Sequence, residues 1–498
     1  MQEEAVKKSS IRPKRKLFLL GIDSTNLDYL LQNRTSLPNI NKLIERGKSF
    51  RPESVANIFS AGVWPTFSSG VMPGEHGHYF PMQWDARSMR FIQIKNGALP
   101  FEPFWNELAS EGVRTVVFDA MSVPDPAGAP GIQIINWNTQ CNFPPLSNNP
   151  EMLKQVIKKY GKKPIGDEVA VKKSRKILVR HRDKLIESVR KKGDAIRWIM
   201  DTYEWDFFLT AFFEGHRAGH NLWPIWEEYA SHPPEGAMLE VYEELDQQVG
   251  RLIQSIDFSK TAFVLFSLHG MKPVYDQSHF LPKIMGRVNT RYAQKSGQKR
   301  KVERPGVARL LRQSVPASIQ LKVRELVTQE VQDWLIDREW RGGKIWKQTP
   351  AFAVPGGGDV GFIRLNIVDR ERDGCLPASE SGRKPYIKFL CESLADLRIQ
   401  PTNELLIREI IDLRSVFPGE RSSHLPDIAV RWNTDRPVDE IRSEELGTVK
   451  AKLKTGRGGN HTGDSFAVVT GAYPSEPFTA QLTHIANYKN FLTQLLTA

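Results

Sequence analysis

Ser60-Ala-Gly-Val-Trp-Pro-Thr-Phe-Ser-Ser-Gly-Val-Met-Pro-Gly-Glu-His-Gly77 is the stretch on which the reading of this 498-residue chain turns. A hydroxyl stands ten residues ahead of Gly70, and the run closes on Pro73, His76 and Gly77. Upstream, Lys16-Leu-Phe-Leu-Leu-Gly-Ile-Asp23 is a short apolar run ending in a carboxylate. Downstream come His216-Arg-Ala-Gly-His220, Ser267-Leu-His-Gly-Met271 and Gly459-Asn-His-Thr-Gly463. Each Asp or His in this set lies just past an apolar, strand-like run or in a Gly-rich loop. A metal-assisted hydrolase spreads its ligands along an α/β chain in this way, because the C-terminal ends of sheet strands open on the crevice where ligands bind.

The apolar runs are Leu17–Ile22, Arg114–Phe118, Ile132–Ile135, Phe207–Phe213, Ala262–Phe266, Val360–Ile367, Asp427–Trp432 and Phe466–Val469. Several are unbroken rather than alternating, which suits a central sheet buried on both faces. Helical patterns lie between them. Pro38 opens one as a first helical residue. Leu178, Leu185, Val189, Ile196 and Ile199 mark a long amphipathic helix with a basic outer face. Leu239 to Ile256 reads as another. Strands alternating with helices predict an α/β fold with a largely parallel sheet and helices on both sides.

Length permits a large core and one enzymatic domain with insertions. No window holds the roughly 18 apolar residues of a membrane span. Leu17-Phe-Leu-Leu20 is too short for a signal-peptide core and reads as the first buried strand. Cys141, Cys375 and Cys391 are widely spaced, which excludes a disulfide framework and a thiolate zinc site. Cytoplasmic residence is the expectation. The net charge of +12 is concentrated in residues 151–200, with 16 Lys/Arg against 6 Asp/Glu, and 281–320, with 10 against 1. These segments would attract a polyanion or form solvated faces. Residues 275–320 read as a loop or partly ordered insertion near the active site.

The chemistry rests on a few side chains. Asp23 is a hard oxygen ligand at a strand end, or else a helix cap. Ser60 opens a predicted helix, where free backbone N–H groups favour a bound phosphate. Its hydroxyl is a poor nucleophile unless a metal ion activates it. His216 and His220, four apart, share a face and can bind one metal, and Glu214 is a second carboxylate candidate. His269 follows a strand. His461 stands in a loop whose glycines allow close approach to a ligand. Trp137 and Asn138 follow a strand and are candidates for the substrate pocket, and His76 and His78 for shaping the nucleophile helix.

The ordered set resembles the alkaline phosphatase superfamily, in particular its type I phosphodiesterase/nucleotide pyrophosphatase branch. That branch carries an Asp after the first strand, a Thr or Ser ten residues before a Gly with a Pro-x-x-His-Gly close, an Asp-x-x-x-His pair, an Asp-His-Gly-Met block and a late His. The five blocks run here from Asp23 to His461. The resemblance implies an alkaline-phosphatase-like catalytic domain over 13–498, with a basic flexible terminus at 1–12, a basic helical insertion at 141–203 and a basic loop/helical insertion at 275–350. It implies Ser60 as nucleophile, a phosphoserine intermediate, and two divalent ions, zinc favoured and manganese the alternative. Asp23, Ser60 and His269 would hold one ion, and His216, His220 and His461 the other. The substrate class would be a phosphate-ester small molecule or nucleotide.

Two positions depart from the pattern. His216 replaces an Asp, and Leu268 replaces the Asp beside His269. Leucine binds no metal, so a catalytically impaired homologue that holds a polyanion such as nucleic acid is the competing reading. Sulfate esters are not expected, because Ser60-Ala-Gly-Val-Trp lacks the Cys/Ser-x-Pro-x-Arg motif of sulfatases.

Overall fold

The computed structural model describes residues 13–96, 99–140, 143–166, 172–225, 227–298, 329–341, 344–357, 359–434, 436, 438–453, 455–472 and 481–497. The expected basic terminus at 1–12, Cys141 and the whole segment 299–328 lie outside them.

The first apolar run forms the strand Lys16–Ile22 at the centre of an eight-stranded sheet. Its order is Lys48–Phe50, Phe466–Gly471, Thr261–Ser267, Lys16–Ile22, Phe207–Phe212, Thr115–Ala120, Ile132–Ile135, Leu146–Ser147. The five central strands are parallel, and the two edges add antiparallel strands. Phe18 lies opposite Phe208 and Phe263 on its two neighbours and stacks on both rings, at 4.9 and 5.4 Å. The register also fixes where the chain leaves the sheet. Ile22 pairs with Phe212 and Gly21 with Phe266, and the Asp23 amide donates to the Phe212 carbonyl at 2.9 Å. Asp23, Glu214 and Leu268 therefore emerge side by side along one rim.

Two of the expected strands belong elsewhere. Val360–Leu365 and Ile428–Trp432 join Ala351–Val354 and Ile407–Asp412 in a separate antiparallel sheet. Both faces of its strands Ala351–Val354, Val360–Leu365 and Ile428–Trp432 are buried, so these runs mimic a central-sheet sequence. Phe352, Val354 and Phe362 face the main core. Ala351, Ala353, Ile363 and Leu365 face a second apolar cluster with the helices Leu281–Lys295 and Glu380–Ala395. The expected loop after residue 275 is thus, over Leu281–Lys295, a helix that buries Leu281, Ile284, Met285 and Val288.

The basic segment 151–200 is largely the helix Arg175–Thr202, which packs along Ala237–Gln254. One of its cations is not on the outer face. Lys192 is fully buried and ion-paired with the equally buried Asp119, beneath the ring of Phe118 at 4.7 Å. Asp119, next to last in the strand Thr115–Ala120, has φ +69°, and its carboxylate also accepts from the Asn138 amide at 2.9 Å. Burial lowers the Lys192 pKa, and Asp119 and Glu214 oppose that shift. Removing one partner of such a pair strands the other charge. Lys192→Ala is expected to cost about 3–5 kcal/mol in urea unfolding. Adding Asp119→Asn should recover part of that loss.

Candidate metal-assisted active site

Asp23 sits just past the first strand and is buried. Its Oδ1 accepts from the Trp64 indole N–H at 3.0 Å, and its Oδ2 lies 2.5 Å from His216 Nδ1. Burial pushes its pKa up. The hydrogen bond to His216, the charges of His269 and His216 and the Trp64 bond outweigh that and hold it below the usual value. The carboxylate is therefore charged, and His216 donates to it through Nδ1.

His216 and His220 lie on the helix Glu214–Leu222, which starts directly beyond the strand beside Asp23. Four-residue spacing puts both rings on one face, with their Nε2 atoms 3.0 Å apart. His220 Nδ1 lies 2.9 Å from the Gly459 carbonyl, which can only accept, so its proton is on Nδ1. His461 Nε2 is 2.8 Å from His216 Nε2. The loop expected around His461 is in fact the strand Gly459–Thr462, paired antiparallel with Gly270–Pro273, with Met271 opposite His461. This ribbon sets His461 beside His269, ring centroids 4.8 Å apart. A side chain at Gly459 would come 2.3 Å from the Gly219 carbonyl, so glycine is required for the ribbon to meet the histidine helix.

The donor set fits a divalent ion. The Nδ1 contacts of His216 and His220 turn their Nε2 atoms toward each other, 3.0 Å apart, an arrangement that a cation between them would satisfy. The Nδ1 atoms of His269 and His461 are buried without a hydrogen-bond partner. Among the described residues, ligand atoms of His216, His269 and His461 lie within 4.8 Å of one another. Burial depresses the His269 pKa to about 4. His461 falls well below its usual value through burial and its imidazole neighbours. At neutral pH both are neutral, the form that binds metal.

Ser60 is nearly buried at the head of a 3₁₀ turn, Ser60–Gly62, that runs into the helix Val63–Ser69 carrying Trp64. The expected helix thus starts one turn later than Ser60. A Cβ on Gly357 would lie 3.1 Å from Ser60 Oγ, so a backbone without a side chain faces the hydroxyl. Beyond His461 opens a cleft of about 730 Å³ lined by Asn57, Lys272, Arg408, Arg431 and Arg436 among others.

The family profile of type I phosphodiesterase / nucleotide pyrophosphatase matches residues 17–344. The chain belongs to this family. It is a phosphoester hydrolase by that membership and falls within the alkaline phosphatase superfamily. Phosphonoacetate hydrolase from Sinorhizobium meliloti 1021, solved with phosphonoformate, shares the fold at 14% identity and a TM-score of 0.52, covering 98% of this chain and 96% of that one. Murine ectonucleotide pyrophosphatase / phosphodiesterase 5, an inactive variant solved with AMP, aligns at 11% identity and a TM-score of 0.46, covering 97% and 95%. No curated protein matches the chain.

The family pattern and this structure part at several side chains. Leu268 is buried and apolar, and its carbonyl accepts from Ser54 Oγ at 2.6 Å. Glu214, the substitute carboxylate candidate, turns away to accept from Asn138 Nδ2 at 2.8 Å, Ser188 Oγ at 2.7 Å and the Phe213 amide at 3.0 Å. Burial raises its pKa. Trp137 and Asn138, candidates for the pocket wall, are instead fully interior. The indole of Trp137 donates to the Gly161 carbonyl at 2.8 Å, and Asn138 knits Glu214 to Ser188. His76 Nε2 lies 3.0 Å from Thr66 Oγ1, on the helix that follows the Ser60 turn. Two groups escaped the sequence reading. Trp64 was signalled only by its place four residues after Ser60. The Lys272, Arg408, Arg431 and Arg436 cations come from distant segments with no shared motif.

Two outcomes follow from this geometry. Gly459→Ala must separate the ribbon from the histidine helix. It is expected to cost about 1–3 kcal/mol in thermal unfolding and to weaken zinc binding in calorimetric titration. The second concerns pH. Burial depresses His78 to about 4 and, with the charge of His78 added, His76 to about 3. Above the unfolded value near 6.5 both states leave these rings neutral. Below it only the unfolded chain takes up the protons, so stability drains away as pH falls toward about 4. Unfolding of metal-free protein between pH 7.5 and 4.5 should show that loss, with a shallower slope in His78→Leu.

Proposed function

We propose that this chain hydrolyses a phosphodiester or pyrophosphate linkage through Ser60. The observation that carries this reading is the gathering of Asp23, His216, His220, His269 and His461 at one rim of the sheet, with the Ser60 turn tied to it through Trp64. Four imidazoles and a charged carboxylate have no structural need to meet in a buried crevice. They do so at a cost in desolvation that ligand binding offsets.

Ser60 Oγ gives up its proton and attacks phosphorus, the Oγ–P bond forms, the bond to the leaving oxygen breaks as that oxygen takes up a proton, and a phosphoserine that still carries the other ester group results. Water then cleaves the Oγ–P bond and returns the hydroxyl. A divalent ion bound by the histidines, zinc by preference and manganese as the alternative, would supply Lewis-acid polarisation of the phosphoryl group and of the hydroxyl. The protein's own part is orientation. The short turn before Val63–Ser69 fixes the hydroxyl, Gly357 leaves room across from it, and Trp64 links the turn to Asp23. Phosphoryl transfer has little covalent chemistry for a protein to perform, so positioning and charge make up most of catalysis.

The cleft beyond His461 is the natural seat for the rest of the ester. Arg431 and Arg436 are held there by Glu409 and Glu404 at 3.1 and 3.2 Å, and Lys272 by Asp359. Partly neutralised cations of this kind suit a nucleotide or another anionic ester. None of the described residues of 151–200 lines this cleft.

The test is hydrolysis of a chromogenic aryl phosphodiester and of a nucleotide pyrophosphate by metal-stripped protein, then with zinc or manganese restored. Metal-dependent turnover is expected, with Ser60→Ala lower in kcat by at least about 10³-fold. Full turnover by the mutant would remove Ser60 from the mechanism. Absence of turnover with either ion, together with salt-sensitive binding of nucleic acid, would favour the polyanion-binding reading that Leu268 motivates.

A further inference from the structure

The geometry points to one metal ion per chain rather than two, seated among His216, His220, His269 and His461, with Asp23 as the positioning residue that sets His216 and not as a ligand. This inference rests on the metal-assisted reading of the site, but it concerns stoichiometry and coordination rather than turnover.

Three observations carry it. First, both oxygens of Asp23 are already engaged, Oδ1 by the Trp64 indole at 3.0 Å and Oδ2 by His216 Nδ1 at 2.5 Å. A carboxylate on the far nitrogen of an imidazole fixes the tautomer and turns the near nitrogen toward a metal. His216 Nε2 accordingly points at His220 and His461, at 3.0 and 2.8 Å. Had His216 been an Asp, as in the branch pattern, no such relay could form, and the Asp23 oxygen would be free of it.

Second, among the described residues a separate ion beside Asp23 lacks a full set of ligands. The position next to His269 is the buried, apolar Leu268. Glu214, the carboxylate on the histidine helix, is bonded to Asn138 and Ser188. A second ion would be left with Asp23, His269 and the Ser60 hydroxyl. His269, however, belongs with the others: its ring centroid is 4.8 Å from that of His461 and 5.4 Å from that of His216.

Third, the histidines overlap in two triads that share His216 and His461. His220 closes one, its ring 4.8 Å from His216 and 4.8 Å from His461. His269 closes the other. Two ions each requiring His216 and His461 cannot both be served, because each ring presents one lone pair inward. A single ion uses the set without conflict. It would carry its full charge among neutral ligands, an environment that favours an anionic ester as the remaining ligand.

The experiment is metal counting on chelator-stripped, full-length protein titrated with zinc alone, by equilibrium dialysis and elemental analysis. Anomalous diffraction from zinc-loaded crystals would follow. One zinc per chain is expected, with one anomalous peak ringed by imidazole nitrogens. Both Asp23 oxygens should lie beyond the roughly 2.0–2.2 Å of a carboxylate–zinc bond. Asp23→Asn should still bind one zinc at the same peak, with affinity lower by about 10–100-fold. Two zinc ions per chain, or an Asp23 oxygen bonded to the ion, would overturn the inference. These counts use no substrate, so a failure of the hydrolase reading leaves them standing, and the wild-type count decides even if the Asp23 variant does not fold.

Discussion

The hydrogen bond between Asp23 and His216 is the point to which the rest of the molecule is adjusted. It joins the end of the first strand to the helix that follows the neighbouring strand, so it exists only while those strands keep their parallel register. A slip by one residue would turn every side chain of the strand to the opposite face. The stacked rings of Phe18, Phe208 and Phe263 resist such a slip from within the core. Trp64 completes the arrangement from the other side, so a single carboxylate orients both the histidine helix and the turn that holds Ser60.

Beneath that helix lies a second polar cluster with no access to solvent. Lys192, Asp119, Asn138, Ser188 and Glu214 are all buried and linked by hydrogen bonds and an ion pair. Buried charges are tolerated where each has a partner. Here the partners come from the 175–202 helix, a strand end, the loop after Ile135 and the first residue of the histidine helix. The basic helix thus has two faces with different tasks, one solvated and one fastening the underside of the site.

Much of this architecture was legible in the sequence. Unbroken apolar runs located the central strands, because a strand buried on both faces has no polar alternation to hide it. The site histidines were legible because each follows such a run or a glycine that forces close backbone approach. The reading failed where the same signal has two origins. Val360–Leu365 and Ile428–Trp432 are as apolar as a central strand because their own small sheet is covered on both sides. Glu214 and Asn138 were placed by proximity in sequence, yet side-chain direction at a helix start is decided by the partners offered, here Ser188 and each other. Lys192 could not be told from its solvated neighbours, since what distinguishes it is a carboxylate 73 residues away. The cations of the cleft come from separate turns of the chain and are adjacent only after folding.

The strands Gly270–Pro273 and Gly459–Thr462 have a consequence of another kind. The described residues between them, the small sheet and the helices Leu281–Lys295 and Glu380–Ala395 included, lie between the two strands of one stem. A segment whose ends are already side by side can lengthen, shorten or be rebuilt without moving the chain on either side of it. In this protein its base is the ribbon that pairs Met271 with His461, and its inner face reaches Phe59, next to Ser60, through Phe362. The rim of the parallel sheet and the segment above it thus meet twice, at the stem and again at Phe59 and Phe362, and change is least constrained on the parts of the segment that touch neither.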